Sequence, residues 1–179
     1  FDAFLLRKEE LEGVVRRRKK ESNKGDYGRV LLVTGSTGMT GAGCLAASAA
    51  LRAGAGLVYI AAPASLGDIY AKNVRETIFL PLEDEGKGVL SGKAIAQLEA
   101  VLIEKSAVAV GPGLSVKGEV PETIEFILKN AEVPLVLDAD ALNSIADDVS
   151  VLAKIKNRAV ITPHPGEMSR LTGKSIEFI

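Results

Sequence analysis

The stretch RVLLVTGSTGMTGAGCLAASAALRAGAGLVYIAA, residues 29–62, decides the fold. It opens with an apolar, β-branched run and then passes through a glycine-rich loop. An Ala-rich segment follows and stops just before Gly54, since glycine after a helical segment is a common stop signal. A second apolar run closes the stretch. The order strand, loop, helix, strand predicts a βαβ unit of a parallel sheet.

The same alternation continues along the rest of the chain. Helices are predicted over residues 42–52, 91–104 and 121–129, and another begins at Pro165. The six predicted strands are residues 29–35, 56–62, 76–82, 107–113, 134–140 and 158–164. Four of them are almost continuously apolar, as expected for strands covered by helices on both faces. The pattern predicts a three-layer α/β/α domain with a mainly parallel sheet.

Composition limits the classes of function. At 179 residues the chain is long enough for one domain, and its net charge of −1 gives no reason to expect a nucleic-acid or membrane-surface partner. No apolar run approaches the roughly 20 residues of a membrane span. Cys44, the only cysteine, cannot form an internal disulfide, which fits a reducing compartment. We expect a cytoplasmic α/β protein.

Two segments are predicted, with one boundary between residues 28 and 29. Residues 1–28 form a lead-in segment that includes the charged run RRRKKESNKGD, residues 16–26. Basic residues 16–20 could bind phosphate, although a solvated helix end and loop is the commoner role of such a run. Residues 29–179 form the domain. Its last predicted helix starts at Pro165 and the sequence stops at Ile179, so we expect a fold truncated at its C-terminus or completed by a second chain.

Four polar or glycine-rich loops follow predicted strands. Ligands of open α/β sheets bind beyond the carboxyl ends of the strands, where glycine loops bring backbone N–H groups close to them. The loops are TGSTGMTGAG (34–43), GPGLS (111–115), DADALN (138–143) and TPHPGE (162–167). Any one could be an ordinary turn, but four at one edge favour a binding cleft.

Two nucleotide-binding motifs match only in part. GAGCLA, residues 41–46, fits the pattern G-x-G-x-x-A, but it begins several residues after the strand. The second strand also ends in Ala-Ala-Pro, where an acidic ligand for the ribose is expected. GKS, residues 173–175, resembles the end of a P-loop, but Met168 stands where the first glycine should be. Neither motif is taken as a nucleotide site.

Several side chains in these loops are candidate site residues. His164 is the only histidine, which disfavours a Ser-His-Asp triad and excludes histidine-rich metal sites. Prolines on both sides restrict its backbone, so it could be structural or could contact a substrate hydroxyl or amide. Cys44 is expected to be a small apolar residue without thiol activation.

Asp138 and Asp140 lie two residues apart, so their side chains should point to opposite sides. One could orient a hydroxyl or hold a metal ion through water. Alternatively, Asp140 caps the helix that follows and Asp138 accepts backbone N–H groups. Asn143 could serve either role.

Five segments, taken in order, resemble one family closely. They are KGDYGRVLLVTGS (24–36), GAGCLAASAALRAGAGLVYIAAP (41–63), VAVGPGL (108–114), PLVLDADALN (134–143) and ITPHPGEMSRLTG (161–173). The chain resembles the carbohydrate-kinase-like NAD(P)H-hydrate dehydratases, which have a ribokinase-like fold, over residues 6–173. The combination of GPGL, DADALN and TPHPGE is specific, although each piece alone would be weak.

The resemblance implies an activity and a set of site residues. Members of the family convert the S-epimer of hydrated NADH or NADPH back to the reduced cofactor with ADP or ATP, and Mg²⁺ is expected. A phosphoryl group activates the ring hydroxyl and then leaves as phosphate. Ala42, Gly113 and His164 match substrate-binding positions, and Gly35, Asp138 and Asn143 match motif positions that could also bind substrate. The resemblance also implies a homo-oligomer and, in many bacterial members, a preceding epimerase domain.

The sequence departs from the family pattern in two places. Asn23 stands where members usually have histidine. The family's lysine- and glycine-bearing nucleotide-phosphate loop and its Gly-rich motif ending in a catalytic aspartate do not occur before Ile179. Since that loop places helix N–H groups where transferring charge develops, we expect this chain to carry mainly the substrate side of the site and to be inactive alone.

Two other functions stay open from the sequence. One is a vitamin kinase of the same fold, for which TPHPGE and DADALN together would be unexpected. The other is a non-catalytic nucleotide-binding or assembly module.

Overall fold

The computed structural model describes residues 7–11 and 17–179. Residues 1–6 and 12–16 of the predicted lead-in segment, including Arg16 of its charged run, lie outside the described residues. The elements are α1 (Lys8–Leu11), β1 (Arg29–Val33), α2 (Thr40–Arg52), β2 (Leu57–Pro63), α3 (Gly67–Asn73), β3 (Ile78–Leu82), α4 (Ala94–Leu102), β4 (Ala107–Val110), α5 (Val120–Asn130), β5 (Leu135–Leu137), α6 (Asp140–Ser144), β6 (Ala159–Ile161) and α7 (Pro165–Thr172), with 3-10 helices at Lys24–Tyr27, Ala64–Leu66 and Val149–Lys154.

The six strands form one parallel sheet in the order β3-β2-β1-β4-β5-β6. β1 is the first strand in sequence and lies at the centre of the sheet. β2 and β3 lie on one side of it, and β4, β5 and β6 lie on the other side. Strand order therefore reverses between β1 and β4, whose central pairs run from Val30 opposite Ala107 to Val33 opposite Val110. In open α/β sheets a crevice forms beyond the carboxyl ends of the strands at such a reversal.

Helices cover both faces of the sheet, as the sequence predicts. Successive residues of β1 point to opposite faces, so Leu31 packs with the α4, α5 and α6 layer while Leu32 packs with the α2 and α3 layer. Both leucines are buried, and burying a side chain of this size contributes about 2 kcal/mol. The predicted three-layer α/β/α architecture is confirmed.

Helix α5 shows why the periodic segments fold as predicted. Ile124, Ile127 and Leu128 are fully buried at helical spacing, and Pro121 stands in the first turn. On the outer face Glu125 pairs with Lys129, one turn away, at 2.6 Å. One face of the helix therefore packs on the core while the other is charged.

Five of the six observed strands are shorter than predicted, and helices α1 and α3 were not predicted. The predicted strand over residues 134–140 is reduced to Leu135–Leu137, because the chain turns into α6 at Asp140. Helix α3 has seven residues and no side-chain cap, so it leaves little periodic signal in the sequence. No helix in residues 7–11 and 17–179 is long and apolar enough to cross a membrane.

Candidate functional site

The loops after β1 and β4 are joined at the point where the strand order reverses. Gly35 N donates to Pro112 O at 3.1 Å, and the Ser36 hydroxyl donates to Gly113 O at 2.9 Å. The hydroxyl of Thr34 also donates to Pro112 O. Thr34 and Ser36 are each only 1% exposed, so these bonds are shielded from water. We call residues 34–43 and 111–115 together the crevice loops.

Gly113 lies directly against the first turn of α2. Its φ of +66° favours glycine, and a Cβ there would lie 2.6 Å from the Met39 carbonyl oxygen and 3.1 Å from the Ala42 Cβ. Gly113 is buried, whereas Met39 is 40% exposed. Gly113 therefore shapes the crevice from beneath, and Met39 forms part of its exposed rim.

Tyr70 of α3 supports the same loops from below. Its side chain is 1% exposed, and its hydroxyl lies so close to Gly35 that a Cβ at that glycine would overlap it. The hydroxyl has no hydrogen-bond partner among the described residues, and burial raises the pKa of Tyr70 to about 12. No pattern in the sequence marks Tyr70, because α3 itself was not predicted.

The structure thus brings three of the predicted site residues together. Gly35 and Gly113 belong to the joined loops, and Ala42 packs against Gly113 at the start of α2. Thr37 and Met39, which the sequence did not single out, form the exposed rim beside them. A glycine-rich loop marks where a chain approaches a ligand, but it does not show which of its side chains remain exposed.

His164 lies at the carboxyl end of β6 and caps α7. Its Nδ1 accepts from the backbone N–H groups of Gly166 at 3.0 Å and Glu167 at 3.4 Å. In return, Glu167 Oε2 accepts from His164 N at 3.0 Å, and Glu167 Oε1 lies 3.2 Å from His164 Nε2. The His164 side chain is 63% exposed while that of Glu167 is 6% exposed. The structural role considered from the sequence is therefore present, and the exposed ring is also open to a ligand.

The two aspartates of DADALN diverge. Asp138 Oδ1 accepts from the Thr162 hydroxyl at 2.8 Å, toward β6. Asp140 Oδ2 accepts from Ser115 N at 2.8 Å, toward the loop after β4. The alternative that Asp140 caps the following helix is wrong, because α6 begins at Asp140 itself and Ala139 is its cap residue. Asp140 instead joins β5 to the crevice loops.

Asn143 lies away from the three clustered residues. Its Oδ1 accepts from Arg170 Nε at 2.9 Å, which links α6 to α7, and its Nδ2 donates to Asp140 Oδ1 at 3.3 Å. It lines an open pocket of about 620 Å³ between α5, α6 and α7, together with Val116, Pro121, Asp140, Ser144, Ala146, Asp147 and Arg170. Gly35, Ala42 and Gly113 do not line this pocket.

The remaining residues considered from the sequence are Asn23, Cys44 and the basic run, and the structure shows a local packing or hydrogen-bonding role for each. Asn23 caps the 3-10 helix Lys24–Tyr27 by accepting from Gly25 N at 2.8 Å, so the residue that replaces the family's histidine has a local role. Burial raises the pKa of Cys44, in agreement with the expected absence of thiol activation. Arg18 of the basic run lies over the Tyr27 ring and donates to Gly54 O.

Comparison with known proteins identifies the family. A family model described as NAD(P)H-hydrate dehydratase matches residues 30–177. The chain belongs to this family. A bifunctional NAD(P)H-hydrate repair enzyme from Moorella thermoacetica is 46% identical over 157 residues, covering 88% of this chain and 30% of that protein. An ATP-dependent (S)-NAD(P)H-hydrate dehydratase from Pediculus humanus corporis is 33% identical over 156 residues, covering 85% of this chain and 49% of that protein.

Solved structures of similar proteins agree with this membership. The ADP/ATP-dependent NAD(P)H-hydrate dehydratase of Bacillus subtilis, co-crystallised with ATP and Mg²⁺, is 29% identical with a TM-score of 0.73, covering 94% of this chain and 56% of that one. A ribokinase-like protein from Enterococcus faecalis is 22% identical with a TM-score of 0.77, covering 99% and 61%, and supports the fold alone. The predicted ribokinase-like fold is confirmed. The chain spans about 30% of the length of the bifunctional relative and about half of the other dehydratases.

Proposed function

We propose that this chain takes part in repair of hydrated NAD(P)H, by ADP- or ATP-dependent dehydration of (S)-NAD(P)H-hydrate, a carbon–oxygen lyase reaction. The observation that carries the proposal is the family match over residues 30–177, which spans every loop of the crevice. A vitamin kinase would share the sheet and the glycine loops, but none of the three similar proteins with a stated activity described above is one.

In this proposal the hydrated nicotinamide nucleotide occupies the crevice where the strand order reverses. The missing side chains of Gly35 and Gly113 leave room for Tyr70 and for the start of α2, so the crevice loops pack closely beneath the ligand. The N-terminus of α2 favours anionic groups of the ligand. His164, at the same edge of the sheet, supplies an exposed imidazole for a hydroxyl or amide of the substrate. Asp138 and Asn143 stay candidate contacts, and their bonds to Thr162 and Arg170 favour an indirect role.

The phosphoryl donor would be ADP or ATP with Mg²⁺. When bound, this nucleotide supplies the phosphoryl group that turns the ring hydroxyl into a leaving phosphate. Among residues 7–11 and 17–179 there is no cluster of three or more His, Cys, Asp or Glu side chains that could hold a metal ion. Mg²⁺ usually binds through the nucleotide phosphates and one or two carboxylates, and we propose that mode here. The contribution of the described residues is to bind and orient the substrate.

Three properties of the whole protein belong to the same proposal. They are a cytoplasmic location, a homo-oligomeric state and a linked epimerase domain. Only the linked domain is supported by the relatives, which are named as bifunctional. Size measurement by light scattering on the full-length protein would test the second.

The substitution Gly113→Ala tests the placement of the substrate. Its Cβ would press on the Met39 carbonyl oxygen and move the rim of the crevice. Gly118→Ala is a matched control, because Gly118 has a similar φ of +64° but no atom within 4 Å of its Cβ position. By titration calorimetry with hydrated NADPH, we expect Gly113→Ala to weaken binding about tenfold or more and Gly118→Ala to leave it unchanged.

Competing ligands separate the alternative functions. Tighter binding of a vitamin alcohol than of hydrated NADPH would favour the kinase. Binding of neither, nor of NADPH or ATP, by the full-length protein would favour the assembly module. Equal weakening by both glycine substitutions would place the substrate away from Gly113.

A further inference from the structure

Asp84 is a buried carboxylate that the proposed reaction does not use. It follows β3 and is only 3% exposed. Its Oδ2 accepts from Gly88 N at 2.9 Å and from the Ser65 hydroxyl, while its Oδ1 accepts from Gly86 N at 3.3 Å. The loop after β3 therefore wraps around this side chain.

The surroundings of Asp84 favour its ionised form. Burial by itself would raise the pKa of the carboxyl, but the hydrogen bonds from Ser65, Gly88 and Gly86 outweigh it and hold the pKa below its usual range. No cation pairs with Asp84 among the described residues. The negative charge is stabilised by N–H and O–H donors alone, which ties it to the conformation of the loop.

The loop that Asp84 holds is joined to the crevice. Gly88 O accepts from Thr37 N at 2.7 Å, and Gly88 packs so closely that a Cβ there would overlap the Thr37 hydroxyl. Thr37 belongs to the exposed rim of the crevice loops. A continuous path therefore runs from the Asp84 carboxylate through Gly88 to Thr37.

The path also connects adjacent strands. Ser65 follows β2, Asp84 follows β3, and Thr37 follows β1, and these three strands are neighbours in the sheet. Asp140 holds Ser115 on the other side of the crevice in a similar way, from β5 toward β4. The crevice loops are thus held on one side directly, by Asp140, and on the other side through Gly88, by Asp84.

We propose that Asp84 is a positioning residue for the crevice: it fixes Gly88, and through it the backbone of Thr37, without touching the ligand. The effect on ligand affinity rests on the proposed function, whereas the effect on Thr37 does not. Loss of the carboxylate should free the rim at Thr37 and weaken substrate binding.

The test compares Asp84→Asn with Asp148→Asn in the full-length protein. Asp148 also accepts from a backbone N–H and a serine hydroxyl, both of Ser150, but it is exposed and lies before the 3-10 helix Val149–Lys154. We expect Asp84→Asn to speed hydrogen exchange at the Thr37 amide about tenfold or more, and to raise the Kd for hydrated NADPH to a similar extent. Asp148→Asn should change neither.

Two further variants separate positioning from a general loss of stability. Val151→Ala, in the core below α5, should lower the melting temperature without changing the Kd measured well below that temperature. Gly88→Ala disturbs the contact between Gly88 and Thr37 directly, because the added Cβ overlaps the Thr37 hydroxyl. This variant replaces Asp84→Asn if Asp84→Asn does not fold. Thr37→Ala in the Gly88→Ala background removes the overlapping hydroxyl and should restore part of the affinity.

The outcomes distinguish the two proposals. Unchanged exchange at Thr37 in Asp84→Asn overturns the positioning role, and so does a faster exchange that leaves the Kd unaltered. If wild-type protein binds no hydrated NADPH while Asp84→Asn still frees Thr37, the proposed function fails and the path from Asp84 to Thr37 stands.

Discussion

The crevice loops and the β6–α7 region lie at the same edge of the sheet, but they are built differently. Around Gly35 and Gly113 the contacts are buried and join three or more segments that are distant in sequence. Around His164 they are local, since the ring bonds only to residues two and three positions further along the chain. β6 is an edge strand whose three residues are exposed. The first region is set by tertiary packing and the second by a helix cap.

This difference teaches how the two halves of the proposed site should respond to substitution. A buried residue of the crevice loops, such as Gly35, Ser36 or Gly113, cannot change without disturbing contacts to other strands and loops. A residue at the start of α7 can change while the rest of the fold stays as it is. Stability and binding should therefore be coupled in the crevice loops and separable at His164.

Tyr70→Ala should have the largest effect. The side chain is fully buried beneath Gly35, and it stacks on Phe79 with ring centroids 5.7 Å apart. Removing it should lower the free energy of unfolding by about 4 kcal/mol, as measured by urea denaturation. Tyr70→Phe is the control: since the hydroxyl has no partner among the described residues, its loss should change stability by about 1 kcal/mol or less. Equal destabilisation by both would show that the hydroxyl is satisfied in solution.

Ser36→Ala should have an intermediate effect. The hydroxyl is buried and donates to Gly113 O at 2.9 Å, so its removal leaves that carbonyl without its donor. We expect a loss of about 2 kcal/mol in the free energy of unfolding and weaker binding of hydrated NADPH. Ser48→Ala provides the comparison, because its hydroxyl bonds only to Cys44 O within α2. A similar loss in both variants would contradict the coupling of the two crevice loops.

Much of this architecture could be predicted, because the spacing of apolar residues along the sequence reflects which face of a helix or strand is buried. β1, α5 and the parallel sheet follow from apolar runs and helical spacing, and the structure confirms them, whereas the strand order was not predicted. The contacts that shape the site depend on residues far apart in sequence, such as Tyr70 under Gly35 and Gly88 against Thr37. No local pattern marks such pairs. The hypothesis that Asp140 caps a helix was wrong for the same reason, because its carboxylate accepts a hydrogen bond from Ser115 N, 25 residues away.

His164→Asn should have the smallest effect on stability and is the sharpest test of the second region. Asparagine is a good helix cap and can accept from the same N–H groups, so the free energy of unfolding should stay within about 0.5 kcal/mol of wild type. His164→Ala, which cannot cap, should lose about 1 kcal/mol. If the imidazole also contacts the substrate, both variants should bind hydrated NADPH more weakly by a similar factor, although only one is destabilised. Calorimetry and urea denaturation on the same two variants measure both quantities. If His164→Asn binds hydrated NADPH with wild-type affinity, His164 serves only as the cap of α7, and the crevice loops bind the substrate without it.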